Sequence, residues 1–500
     1  MEKAVARPPM HRLLLKGKDM KSRISIIGSP KSLYLVILHL GFLAVLGVHF
    51  LGAQESNWPQ FRGPHGQGRS PDTSLPIPFG PEQAVLWKKE MSPGHSSPCI
   101  WGDNLFITTY EEDKLTTLAL NRHDGSLLWK HSVSPTKIER GHRNGTPANS
   151  TPTTDGKSVF VYFGSYGLLA FDLKGREKWK LPLPVPVTQH GASSSPILAK
   201  GRVFLQIDQD VDSHILCVDA DSGKKLWTSP RPGFRRGFST PITWPPDDPK
   251  LLVTSGTLRV CAYDISNGQL AWEVGGLPNE TVASPAFDEN QLFVSGWTMG
   301  AGVSRIPSFD ELLEHDEDDD SAITRSEATG PARMHFPYID ANKNGRIDRT
   351  EWETMSDIFN KSENALLALK PGKSLNATPT LSWKQTRGLP YVPSPLVYQG
   401  HVYMVKNGGM LSCMEANTGK VLYREERLGA LGDYYSSPIG AGKHIVVASQ
   451  SGVVSAMEAG SPELKIVFQI DFDDPIMATP AAVDDRLYLR TSQTLYCFGQ

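Results

Sequence analysis

Near the middle of the chain the run DANKNGRIDRTE sets oxygen-bearing side chains at alternating positions and ends on a glutamate. Asp340, Asn342 and Asn344 stand first, third and fifth, Gly345 sixth, Arg346 seventh, Asp348 ninth and Glu351 twelfth. Oxygen donors in such number suit a hard cation such as calcium, which accepts irregular coordination. The glycine permits a tight turn, the Arg346 carbonyl adds a backbone oxygen, and the terminal glutamate offers both carboxylate oxygens at once. A second run upstream, DEDDDSAITRSE, puts Asp316, Asp318, Asp320, the Ala322 carbonyl, Thr324 and Glu327 in the same slots. A merely solvated acidic loop has no reason to hold that register twice.

Both runs have the spacing of the twelve-residue EF-hand calcium loop. Ile323 and Ile347 share its eighth position, where paired loops meet. The first run departs at the sixth position, because Ser321 replaces the glycine where the backbone needs a positive φ. That conformation costs a non-glycine residue about 1–2 kcal/mol, so weaker affinity is expected there. The flanks SFDELLEHD and TEWETMSDIFNKS read as helices, the latter with Trp352, Met355, Ile358 and Phe359 as apolar positions. Gly330 and Pro331 are expected to interrupt the segment between the loops, leaving only short helices and a compact pair. In exported proteins such modules have dissociation constants of about 10⁻⁴ to 10⁻³ M, which favours structural loading over signalling.

The elements that position this pair repeat along the chain. A small residue followed by proline recurs at Pro98, Pro152, Pro196, Pro241, Pro285, Pro395, Pro438 and Pro480, at intervals of 54, 44, 45, 44, 110, 43 and 42 residues. The long interval holds both acidic runs, so it contains an insertion. A Gly turn followed by an aromatic gives a second marker, as in ALNRHDGSLLW, CVDADSGKKLW and AYDISNGQLAW. Aromatics stand at Trp87, Trp129, Trp179, Trp227, Trp272, Trp383, Tyr423 and Phe468, each upstream of one proline step. Between the markers lie short β-branched and aromatic runs such as SVFVYFG and HIVVASQ, which read as strands. Both markers count eight units, each with enough strand for a four-stranded propeller blade that buries its faces by stacking on its neighbours. The run QLFVSGW precedes the insertion and NALLALKPG follows it, which places it inside the fifth blade. The final strand run stops at Gln500 without a Gly-turn aromatic, while AVLWKK at residues 84–89 precedes the first proline step. Pairing of the two would close the ring and leave no free sheet edge.

The repeated pattern xxDxxxGxxxW, with the opening NWPQFRGPHGQG, resembles the pyrroloquinoline-quinone-like β-propeller repeat family over roughly residues 58–500. The resemblance implies an all-β, eight-bladed propeller of quinoprotein type. Similar proteins include quinoprotein alcohol dehydrogenases, the propeller lipoprotein of outer-membrane protein assembly, and exported proteins of unassigned role. Fold alone does not carry an activity across. A quinoprotein dehydrogenase oxidising alcohols or sugars would hold its quinone, pyrroloquinoline quinone (PQQ), and a calcium ion on the propeller axis beside a catalytic carboxylate. Larger members of that kind have an adjacent cysteine pair over the cofactor, and this chain has no two neighbouring cysteines and no CxxCH haem motif. The favoured reading is therefore a non-catalytic binding or scaffold protein with protein partners in the cell envelope, and the dehydrogenase is the alternative. Candidate ligand contacts at the channel mouth are His95, Asn149, His190, Arg235, Arg236 and Tyr435, although polar residues before strands are often there for solvation. GxSxG and GxxxxGK[ST] signatures are absent from the sequence.

Composition agrees with a large globular core: 39% hydrophobic and 21% charged over 500 residues, with a net charge of −2. That balance argues against a nucleic-acid surface. Lys16, Lys18, Lys21, Arg23 and Lys31 precede an apolar run from Leu33 to Ala53, the order of a secretory signal, with cleavage expected near Ala53 or retention as an anchor. Met20 would serve as an alternative start with an ordinary basic region. The apolar run has no lipobox cysteine. These features imply a periplasmic or cell-envelope protein touching the membrane only through that segment. The chain divides into residues 1–53, a propeller part over 54–300, the loop-bearing insertion over 301–360 and the remaining blades over 361–500, expected as a monomer. Cys99, Cys217, Cys261, Cys413 and Cys497 are expected to act mostly as small core hydrophobes, with disulfide pairing left open.

Overall fold

The computed structural model describes residues 57–500, with 189, 300 and 302–305 excepted. The export segment expected over 1–53 lies outside them. Among the described residues, eight sheets repeat one plan. In the first blade, Cys99–Trp101, Asn104–Glu111, Lys114–Asn121 and Leu127–Val133 run antiparallel in chain order. The blades at 153–182, 197–230, 242–275, 286–385, 396–427 and 439–471 repeat it. The middle strands are apolar on both faces and almost wholly buried, as in Ser158–Phe163, because each blade is covered by a neighbour on either side. The eighth blade takes its outermost strand from the other end of the chain: Val85–Glu90 pairs antiparallel with Thr494–Phe498, Glu90 opposite Thr494.

The Gly-turn aromatics lock neighbouring blades. The indole N–H of Trp87 donates to the Arg122 carbonyl at 2.9 Å, that of Trp179 to Ala220 at 2.9 Å and that of Trp383 to Ala416 at 2.8 Å. Each ring lies over the turn glycine of the following blade. A Cβ at Gly125, Gly223 or Gly419 would fall 2.5 to 2.6 Å from the docked ring. Between the fourth and fifth blades this lock is missing. The turn after Ala365–Lys370 is longer and irregular, and a cavity of about 300 Å³ lies beside Trp244, Trp272 and Leu375.

A second ring closes at the axis. The backbone N–H of each pre-proline Ser or Thr donates to the hydroxyl of the next: Ser97 to Thr151, Thr151 to Ser195, Ser195 to Thr240, Thr240 to Ser284, Ser284 to Ser394, Ser394 to Ser437 and Ser437 to Thr479. Thr479 returns to Ser97 at 3.0 Å. The residue type at this step is thus set by a donor and an acceptor that must lie side by side around the circle.

The segment after Asn57 crosses the inner strands. Trp58 exchanges backbone hydrogen bonds with Ile100, the Pro59 carbonyl accepts from Thr154, and the fully buried Arg62 donates to the Pro395 carbonyl. Gln67 accepts from the Phe287 N–H, and Arg69–Ser70 runs parallel to Ile439–Ala441. All five cysteines are buried and unpaired, and Cys217, Cys413 and Cys497 lie opposite Trp227, Tyr423 and Trp87 in their sheets.

Between the strands Leu292–Gly296 and Ala365–Lys370 the chain forms helices. Helix α1, Phe309–Leu312, continues into a 3₁₀ turn, Leu313–His315; helix α2 spans Gly330–Ile339 and helix α3 spans Arg349–Lys361. The interruption expected at Gly330 and Pro331 does not occur. Both residues start α2 instead, where proline lacks only an N–H that the first turn leaves unpaired anyway. A separate core holds the helices, with Phe309, Phe336, Trp352 and Met355 buried together.

Candidate metal centre and axial pocket

The two acidic runs adopt the same hydrogen-bonded turn. In the second, the Asp340 carboxylate accepts from Gly345 N–H at 3.0 Å, and in the first Asp316 accepts from Ser321 N–H at 2.9 Å. Asn344 and Asp320 each accept from the N–H two residues on, at 2.9 Å. Glu351 reaches back to the Ala341 N–H at 2.9 Å and the Asp348 N–H at 3.2 Å, and Glu327 does the same to Glu317 at 3.1 Å and Thr324 at 2.7 Å. The loops meet through the short antiparallel pair Ile323↔Ile347. Fourth and sixth positions are left-handed in both: Asp319 and Ser321 at φ 57° and 63°, Lys343 and Gly345 at 61° and 84°. Ser321 therefore takes the strained conformation that its position demands.

Such turns gather carboxylates and leave most of them without an ion-pair partner among the described residues. Asp340, Glu351 and Glu327 are only 7, 8 and 8% exposed, and among the described residues none has a cation within ion-pair distance. Burial raises the pKa of Glu351. In the first loop, carboxylate oxygens of Asp316, Asp318 and Asp320 lie within 4.8 Å of one another, and Asp316 Oδ1 is buried with no hydrogen-bond donor. Burial and the adjacent Asp320 push the Asp318 carboxyl upward. Like charges held this close make it harder for all three carboxyls to stay ionised together. The loops differ in one contact, since Arg346 of the second loop ion-pairs with Asp320 of the first.

The propeller grips the approach to the second loop. Arg235, buried in the fourth blade's leading loop, donates to the Tyr338 carbonyl and, at 3.3 Å, to that of Ile339, the last two residues before Asp340. Arg236 lies 4.0 Å over the Tyr338 ring and pairs with Asp210 at 2.9 Å.

At the axis a separate cavity of about 140 Å³ is lined by the Ser/Thr circle together with Phe61, His95, Asn144, Asn149 and Tyr435. Asn144 donates to the Tyr435 hydroxyl at 2.7 Å. Burial pushes the His95 pKa down to about 4, helped by Arg490, so the imidazole is neutral at pH 7. Of the residues expected at the channel mouth, His95, Asn149 and Tyr435 come together here. His190 instead lies edge-on to Phe238 and His142, with ring centres 5.7 and 5.4 Å apart, while Arg235 and Arg236 turn to the helical insertion. Sequence reading passed over Asn144 and Phe61; the Ser/Thr steps were visible as repeats but not as a lining. An anionic quinone with its calcium ion would need lysine or arginine and a carboxylate at the axis. The described lining supplies hydroxyls, amides and one neutral imidazole, in a space below the roughly 300–1,000 Å³ of ligand pockets. These residues do not fit that group.

Comparison with known proteins gives two kinds of likeness. A family model described as outer membrane protein assembly factor BamB matches residues 79–211 and 211–311. A curated protein of that description from Alteromonas naphthalenivorans is 25% identical over 206 residues, 41% of this chain and 44% of its own. Another, from Burkholderia pseudomallei (strain K96243), is 24% identical over 271 residues, 53% and 64% respectively. The chain thus spans less than two thirds of either relative. Among solved structures, BamB from Moraxella catarrhalis is similar with a TM-score of 0.51 and 12% identity, covering 83% of this chain and 98% of that one. A europium-containing methanol dehydrogenase is similar with a TM-score of 0.54 and 11% identity, covering 90% and 99%. At such identities the structural likeness is one of fold, shared by an assembly factor and a dehydrogenase alike.

Proposed function

We propose, from the premise that the chain belongs to the pyrroloquinoline-quinone-like β-propeller repeat family, that it is an exported, calcium-binding propeller that holds cell-envelope proteins together without catalysing a reaction. The observation that carries the calcium reading is the matched pair of turns, in which Asp340, Glu351 and Glu327 are buried with no ion-pair partner among the described residues and the carboxylates of Asp316, Asp318 and Asp320 draw together. In the second loop Asp340, Asn342, Asn344, the Arg346 carbonyl, Asp348 and Glu351 would hold the ion; in the first, Asp316, Asp318, Asp320, the Ala322 carbonyl, Thr324 and Glu327. Calcium there neutralises charge and fixes α2 and α3 against each other. Loading at millimolar calcium suits an exported protein, and the segment over residues 1–53 is read as its export signal, cleaved or kept as an anchor.

Similarity to assembly-factor relatives over part of their length supports a scaffold role in the periplasm or envelope. The neutral lining of the axial pocket supports it as well. The dehydrogenase fold neighbour keeps one alternative in view, oxidation of alcohols or sugars by a bound quinone. Incubating the mature protein with the quinone and calcium, then following dye-linked alcohol or glucose oxidation, decides between them. No turnover above the protein-free rate is expected, and a quinone-dependent rate that saturates with substrate would replace the scaffold reading by the enzyme.

A further inference from the structure

A cleft of about 890 Å³ opens beside the Arg235 junction, between α2 and the loops that lead into the second, third, fourth and fifth blades. Part of its wall is apolar, with Val185, Tyr338 and Met334, the last 77% exposed. Lys137 and Arg140 line it from the propeller side and Lys343 from the second acidic loop. The carboxylates nearby are already engaged: Asp210 pairs with Arg236, and Glu280 accepts from the Tyr391 hydroxyl at 2.9 Å. Glu139 sits between Lys137 and Arg140 in the chain but is turned into the core, where its carboxylate accepts from the Ala192 N–H at 3.0 Å. Among the described residues, no carboxylate is paired with Lys137, Arg140 or Lys343.

We propose that this cleft is a docking groove for an extended acidic segment of a partner protein, whose carboxylates meet Lys137, Arg140 and Lys343 while its apolar side chains cover Val185, Met334 and Tyr338. The inference deepens the scaffold reading and rests on it. Extended chain suits the site because alternate side chains point to opposite sides, so one strand can present both kinds of group. A free phosphate or a lipid headgroup would satisfy the cations and leave the apolar wall bare.

The test uses the mature full chain in calcium at physiological ionic strength, with fluorescein-labelled peptides alternating valine with glutamate, glutamine or lysine, read by anisotropy. The glutamate peptide is expected to bind at least about tenfold more tightly than the glutamine one, and the lysine peptide not measurably. Lys137→Glu with Arg140→Glu should weaken the glutamate peptide by about tenfold or more, and Lys343→Ala by a smaller factor, with melting temperatures unchanged because all three side chains are exposed. Equal affinity for the glutamate and glutamine peptides, or unchanged affinity in the charge-reversed protein, overturns the groove. So does competition for the site by phosphatidylglycerol vesicles stronger than that by unlabelled acidic peptide, which would assign the cations to lipid. The quinone assay reports on the scaffold reading separately: a chain without turnover that ignores acidic peptides loses only the groove.

Discussion

Ser321 and Glu139 carry local costs of different origin. Ser321 holds φ 63° where its counterpart is Gly345, so Ser321→Gly removes a strain of about 1 kcal/mol or more from the first loop. Calorimetry should show tighter calcium binding at that loop by a factor of about five to ten, and an unchanged or weaker site would contradict the strain argument. Glu139 is pushed up to about 7 by burial. A carboxyl whose folded pKa exceeds the ordinary 4.5 holds its proton more tightly in the fold. Its stabilising contribution is complete below that ordinary value and is lost as pH rises through about 7. Glu139→Gln keeps an acceptor for the Ala192 N–H and has no charge to bury, so its stability relative to the parent should improve by about 1–3 kcal/mol between pH 5 and pH 8. Denaturant midpoints that differ equally at both pH values would contradict this. The two acidic turns were legible in the sequence because their pattern lies in spacing within twelve residues. Glu139 was not, since its burial comes from Gly164 and Ala192, which reach it only through the fold.

At the scale of elements, the docked tryptophan and the glycine beneath it form one unit. Gly223→Ala would add strain at φ +69° and place a methyl 2.5 Å from the Trp179 ring. Gly201→Ala meets the same φ of +69° with nothing within 4 Å. The second substitution should cost about 1 kcal/mol, the first about 2–4 kcal/mol, because an indole that buries about 150–250 Å² must shift. Equal losses in urea titrations would show that the ring is not held by the glycine. This marker was readable because a Gly-x-x-x-aromatic spacing serves one local purpose where it recurs, at Gly125, Gly175, Gly223, Gly268 and Gly419. It misled in the fifth, where the turn before Trp383 is irregular and Trp272 faces a cavity rather than a glycine, and in the seventh, where Gly460 meets Gln399 instead of the Tyr423 ring. Helix α2 was misread for a related reason: proline was taken as a break, although its place in the first turn makes it a start.

Over the whole molecule, two closed circuits define the body: the eight N–H to hydroxyl contacts at the axis and the strand Val85–Glu90 against Thr494–Phe498. The blade count and the closing strand were legible, since periodicity and an unmatched half-blade at each end imply them. Passage of Trp58 to Ser70 across the inner strands was not, because glycine-rich turns carry no periodic signal and their partners, Ile100, Phe287 and Pro395, are far away in the chain. On this body the helical insertion is fastened by Arg235 immediately before Asp340, so a cation taken up by the second loop would act on a segment already anchored to the propeller. The most direct test is calorimetric titration of calcium into residues 54–500 beside Glu327→Gln, Glu351→Gln and the double variant. The account predicts two calcium ions per chain in the parent, the weaker at the first loop, one in each single variant and none in the double. Undiminished calcium uptake by the double variant would contradict it.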